Sequence, residues 1–217
     1  MILISYPHYT CGGLLCNLIN KEFHGFADHG GMDNTAHSLF KEPEDPNDPR
    51  LSNLSIEELV QHRLDTYPAE TLPLAAGTHF NVLDMPLDMF DKVIHITTER
   101  TRSRLYRWTR AYYLQYEQSA DWQSVVGLDY IDKARETAKE YVNPRKSIRH
   151  SKVVNIEFAE IVDKGPSFSK LIPNYDPYVY DLWRNKNYFL YNNMLHEPAQ
   201  RMYEAEFELK TNTRYEY

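Results

Sequence analysis

The stretch Met1-Ile2-Leu3-Ile4-Ser5-Tyr6-Pro7-His8-Tyr9-Thr10-Cys11-Gly12-Gly13-Leu14-Leu15-Cys16-Asn17-Leu18-Ile19 decides the fold. Met1–Tyr6 is apolar almost throughout and reads as a buried strand. Pro7 ends it, because proline has no N–H to give to a ladder. His8–Gly13 follows as a tight loop of small and polar residues, and Leu14 begins an apolar helix. A strand that runs through a compact loop into a helix gathers unpaired N–H groups and a positive dipole end at one point, an arrangement that suits phosphate or sulfate. The loop holds no lysine, so it lacks the Gly-Lys-Ser/Thr ending of the nucleoside-triphosphatase P-loop, which disfavours a kinase or ATPase.

Working outward, Gly77–Leu83 reads as a short strand, Lys92–Thr97 as a stronger β-branched one, and Ser151–Glu157 as a last core strand. Ser55-Ile56-Glu57-Glu58 has the form of a capping box and opens a helix through about Asp65. After Thr97 comes an arginine-rich helix with Leu105, Trp108 and Tyr112 on its buried face and Arg100, Arg104 and Arg107 on another. A further helix is expected over Tyr130–Tyr141, and a helical tail from Tyr178 to about Phe207. Apolar strands separated by helices imply an α/β fold: a central, mostly parallel sheet flanked by helices in three layers. In such sheets ligands gather at the carboxyl edge.

The length of 217 residues suits one domain, 1–217. Lys21–Ser52, with His24, His29, His37 and the run Glu42–Pro49, reads as a surface loop or lid over 21–52. Its histidine spacing fits no standard ligand pattern, so no metal is expected. A net charge of −7 argues against wholesale nucleic-acid binding and leaves any anion site to local basic residues and backbone dipoles. No signal peptide or bilayer-length apolar run is recognisable, so the expectation is a soluble, cytoplasmic protein with neither nucleic acid nor membrane as partner. Cys11 and Cys16 lie too close together for a disulfide framework and are expected to be reduced. Cys11 beside a helix start, with His8 near, also fits an activated thiolate, although no orienting third residue is identifiable.

Four pieces, in this order, resemble the sulfotransferase family, the chain being a short and divergent example. Ser5–Leu15 is similar to that family's 5′-phosphosulfate loop, in which Tyr-Pro precedes a lysine or arginine and Ser-Gly-Thr-Thr. Thr78-His79 is similar to its Thr-His, whose histidine is the catalytic base. Lys92–Ile96 entering a basic helix resembles the strand before its 3′-phosphate site. Val153–Val162 resembles its late Val-x-Tyr-Glu-Asp-Leu-Val strand.

The resemblance implies a P-loop-like architecture. It also implies transfer of a sulfuryl group from 3′-phosphoadenosine 5′-phosphosulfate to a hydroxyl or amine acceptor. It assigns His79 as base and His8 to the bridging oxygen, where the family has a lysine or arginine. Tyr9, Thr10, Cys11, Gly12, Gly13 and Leu14 would hold the donor's 5′ end. Thr98 and Tyr106 stand where the family has arginine and serine, so Arg100 and Arg104 would serve the nucleotide from the next turn. The alternative is a catalytically inactive sulfotransferase-fold binding or assembly protein, in which case homo-oligomers or protein assemblies become the partners.

Overall fold

The computed structural model describes residues 1–23, 40, 54–66, 72–111 and 143–187. Four strands, β1 (Ile2–Ser5), β2 (Ala75–Thr78), β3 (Lys92–Thr97) and β4 (Val153–Glu157), pair in parallel in the order β2-β1-β3-β4. Helices α1 (Gly12–Asn20), α2 (Ile56–Thr66), α3 (101–111), α4 (Phe158–Val162), α5 (Pro166–Leu171) and α6 (Pro177–Lys186) accompany them. The fold is α/β. Most of the segment 21–52, the helix expected over Tyr130–Tyr141 and the tail beyond residue 187 lie outside the described residues. No helix among the described residues is long and apolar enough to cross a membrane.

Side chains alternate between the faces of each strand. One face of the sheet buries Ile4, Ala75, Ile94, Ile96 and Ile156 with Leu14, Leu15 and Leu18 of α1, Phe158 and Ile161 of α4, and Trp183 of α6. The other buries Leu3, Ala76, Val93 and Val153 with Val60 of α2, Phe40, Val82 and Phe90. Both faces being covered accounts for the unbroken apolar runs of β1 and β3. The Ser55 capping box forms as the sequence implies: the Ser55 amide donates to Glu58 Oε2 at 2.8 Å and the Glu58 amide to Ser55 Oγ at 3.2 Å.

Several boundaries differ from the sequence reading: β2 starts at Ala75 rather than Gly77, β4 at Val153 rather than Ser151, and α6 ends at Lys186 with Asn187 as its C-cap, short of the helix expected to about Phe207. β2 ends at Thr78, and Val82–Asp84 is a single 3-10 turn rather than the end of a strand. Polar side chains divert the backbone there: Thr78 Oγ1 accepts the Phe80 amide at 3.1 Å, and Asn81 Oδ1 accepts the Leu83 amide at 3.3 Å. α1 begins at Gly12, so both glycines belong to its first turn and not to the loop. Packing explains this, since a Cβ on Gly12 would stand 2.2 Å from the Tyr6 ring, which is itself buried. We therefore expect Gly12→Ala to destabilise the fold by on the order of 3 kcal/mol through forced repacking, read as a lowered urea midpoint.

A polar row crosses the sheet at its second face: Thr78, Ser5, His95 and Asn155 stand side by side in register. The segment 143–152 straps over it. Thr98 and Arg145 exchange hydrogen bonds, the Arg145 amide to Thr98 Oγ1 at 2.9 Å and the Thr98 amide to the Arg145 carbonyl at 3.0 Å. His95 Nε2 donates to the Lys146 carbonyl at 3.1 Å, and Asn155 bonds both the amide and the carbonyl of Ile148.

His95 is buried, and its Nδ1 has no hydrogen-bond partner among the described residues. Burial, and then the Arg145 guanidinium, pull its pKa down to about 4, against a smaller upward pull from the Lys146 carbonyl and Glu99. The folded pKa lies below the unfolded one, so neutral His95 contributes stability that is complete above about pH 6.5 and lost as pH falls toward 4. A difference of that size corresponds to roughly 3 kcal/mol. Urea melts between pH 7 and 4 should show this loss, and His95→Gln should flatten it.

Candidate functional site

The carboxyl edge of the sheet brings together the loop after β1 and the residue after β2, because the two strands are neighbours. Beyond Ser5, the Tyr6 amide still bonds the Thr78 carbonyl at 3.1 Å. The chain then turns sharply. Tyr9 takes a left-handed φ of 63°, rare for a residue with a Cβ, and Thr10 Oγ1 donates to the Pro7 carbonyl at 2.7 Å. Strained, side-chain-braced backbone of this kind is found at ligand sites, where surrounding contacts hold it in place. α1 follows at once, with Cys11 as N-cap making no side-chain cap bond and with no acidic residue in its first turn. Its opening turn sets the amides of Gly12 to Leu14 and the positive end of the helix dipole at this edge.

His8 and His79 meet over this loop. Their rings stack with centroids 4.0 Å apart and planes 21° apart, and the Tyr6 ring packs edge-on against His79 at 4.3 Å. His79 Nδ1 lies 3.1 Å from the Tyr6 carbonyl. A carbonyl only accepts, so Nδ1 carries the proton and the lone pair of the neutral ring falls on Nε2. His8 is pulled below the ordinary histidine range, first by burial and then by Arg107, and is neutral at pH 7. Permanent charge on the loop comes from elsewhere.

Two arginines supply it. Arg107 of α3 donates its Nε to the His8 carbonyl at 3.1 Å. Arg145, from the strap, donates Nη2 to Ser5 Oγ at 2.6 Å and lies 3.5 Å from the Phe80 carbonyl. Its hydrogen bonds among the described residues go to a hydroxyl and a carbonyl, and none of the ion pairs there involves it. Burial, and then Arg107, pull its pKa down to about 10. A half-buried guanidinium facing a like charge, with no carboxylate among the described residues to compensate it, gains most from an anion arriving from outside.

The other expected arginines are engaged differently. Arg100 pairs with Glu160 Oε1 at 2.8 Å, and Arg102 with Asp163 Oδ2 at 2.9 Å. Arg104 donates to Thr101 Oγ1 at 3.3 Å. Tyr106 is turned to Asp163, its hydroxyl 2.9 Å from Oδ1, and burial pushes its pKa up to about 12. These contacts hold the start of α3 to α4, whereas Arg107 of α3 bonds the loop.

Both cysteines are free and buried, and burial pushes the Cys11 thiol well up, which removes the activated-thiolate alternative. Among the described residues no three His, Cys, Asp or Glu side chains are gathered as a metal site requires, and His24, His29 and His37 lie outside those residues. Sequence reading passed over Arg145 altogether. Its only local signal is the basic run Arg145-Lys146-Ser147-Ile148-Arg149 ahead of β4. Compared with known proteins, the chain matches no family model, no curated protein and no solved structure.

Proposed function

We propose that this protein binds the phosphosulfate end of a nucleotide donor at the loop after β1 and passes its sulfuryl group to a hydroxyl or amine acceptor. The donor that the sulfotransferase resemblance implies is 3′-phosphoadenosine 5′-phosphosulfate. One observation carries the reading: His8, in the loop that leads into α1, stacks on His79 at 4.0 Å, and Arg145, which bonds Ser5 Oγ and lies 3.5 Å from the carbonyl of Phe80 next to His79, is bound to no carboxylate among the described residues. The amides opening α1 and the Arg145 guanidinium are the groups suited to the phosphate oxygens. His79 Nε2, freed of the proton by the Tyr6 carbonyl on the opposite nitrogen, is suited to take the acceptor's proton as the acceptor oxygen or nitrogen attacks sulfur. The bond from sulfur to the bridging oxygen breaks, and the phosphate leaves with that electron pair into fixed positive charge.

A second reading, a binding protein without transfer, is favoured by the neutral state of His8, which puts no permanent charge on the bridging oxygen. Turnover separates the two. Purified protein incubated with the phosphosulfate donor and a panel of phenols, alcohols and amines should release the nucleotide bisphosphate and yield sulfated product. Saturable donor binding without product over the whole panel supports the binding protein, and no donor binding overturns both.

A further inference from the structure

Arg145 reaches the candidate site from a segment that little apolar burial holds down. Residues 143–150 form no helix or strand, and of their side chains only Arg145 and Ile148 are partly buried, Ile148 against the second face of the sheet. Polar groups at the ends of β3 and β4 dock the strap instead. Asn155 bonds the amide and the carbonyl of Ile148, both at 2.9 Å, Glu99 accepts the Ser147 amide, and His95 Nε2 donates to the Lys146 carbonyl at 3.1 Å. Segments held in this way open at lower cost than a core does. His95 differs from its neighbours in what a proton does to it. Nε2 already carries one for Lys146, so a second goes to Nδ1, which is buried and has no hydrogen-bond partner among the described residues. The charges facing the ring are Arg145 of the strap and Glu99 beyond β3. Lys146 meets it through its carbonyl, and the register neighbours Ser5 and Asn155 carry no charge.

We propose that His95 is a positioning residue for the anion site: its neutral ring holds the strap that brings Arg145 to Ser5, and protonation of Nδ1 releases the strap and takes Arg145 away. The inference rests on the anion site proposed above and adds its regulation by pH. The added proton sets a second buried charge beside the Arg145 guanidinium, which Arg107 already opposes. In the released strap His95 returns to ordinary histidine behaviour, so acidification from about pH 7.5 to about pH 5 favours release by up to about 30-fold. The sign is opposite to what the loop alone would give. His8, held below the ordinary histidine range, gains charge over the same interval, and that by itself strengthens anion binding.

Isothermal titration of the full chain with sulfate, a dianion throughout this range, at about pH 7.5 and about pH 5 and one ionic strength, tests this. Wild-type affinity should fall by about threefold or more on acidification. His95→Gln keeps a neutral N–H for the Lys146 carbonyl and takes up no proton, so it should bind sulfate at least as tightly at the lower pH. A wild-type affinity that holds within about threefold, or rises, overturns the proposal whether or not the variant folds. A fall of about threefold or more in His95→Gln also overturns it, because that variant retains Glu99 on the Ser147 amide and His150 on the Lys152 amide, and the gate would lie with them. Circular dichroism at each pH separates release of the strap from unfolding, and a fall in affinity that only follows loss of that signal overturns the proposal. If the wild type binds no sulfate at about pH 7.5, the anion site itself falls, and this inference falls with it.

Discussion

His79→Ala should reduce sulfuryl transfer by about 10²–10⁴-fold, the usual contribution of a positioned general base, and should change nucleotide affinity by less than about threefold. The asymmetry follows from where the ring sits. Its Nδ1 is committed to the Tyr6 carbonyl at 3.1 Å, so the nitrogen left to act carries a lone pair and has no proton to give a phosphate. Removing the ring therefore costs the acceptor's proton transfer and spares the loop amides and Arg145. His8 stacks on His79 at 4.0 Å, so alanine also removes a packing partner; His79→Gln, a second variant, retains more of the contact and should be as inactive. Single-turnover rates together with equilibrium donor binding read the two effects separately. Equal losses in rate and affinity would assign the ring to donor binding instead of base catalysis.

Arg145→Met should weaken phosphate or nucleotide binding by about 10–100-fold while leaving the thermal midpoint nearly unchanged. These two readouts diverge because of what surrounds the guanidinium. A structural arginine held in a buried ion pair destabilises the fold when removed, since its carboxylate is left alone. Arg145 has Ser5 Oγ and the Phe80 carbonyl as side-chain partners, with Arg107 as a repelling neighbour that helps bring its pKa down to about 10. Removing its charge relieves desolvation and repulsion, which offsets the lost hydrogen bonds. Affinity by titration calorimetry and the midpoint by differential scanning calorimetry measure the two effects. A fall in the midpoint without a fall in affinity would make Arg145 a structural residue.

Much of this fold is legible in the residues because burial on both faces writes apolar runs that need no context. Ile2–Ser5 and Lys92–Thr97 are such runs, and the Ser55–Glu58 box marks the start of α2 through local chemistry alone. β2 is less legible: Ala75–Thr78 is small and weakly β-forming, and becomes a strand by pairing along β1. The start of α1 is hidden for a similar reason, since glycines read as loop until the Tyr6 ring is seen to occupy the space of a Cβ. The meeting of His8 with His79 depends on strand order, yet both follow core strands that chain order makes plausible neighbours. Arg145 depends on a strap crossing the sheet 140 positions from Ser5, and no local pattern encodes that. The arginines around α3 divide for a tertiary reason too: Glu160 and Asp163 of the α4 region claim Arg100 and Arg102, while Arg107 bonds the loop.

The central claim is that an anion sits on the loop between β1 and α1, and amide-resolved NMR titration with inorganic sulfate and phosphate tests it most directly. The account predicts saturable shifts, with one common midpoint, at the amides of Thr10 to Leu14, at the ring resonances of His8 and His79 and at the Arg145 side chain. Binding should also raise the pKa of His8, since an added negative charge opposes the burial and the Arg107 charge that now lower it. The account is contradicted if the shifts gather instead at Glu99, Arg100 and Glu160 around the start of α3, or if the loop amides stay still while sulfate and phosphate are raised to saturation elsewhere.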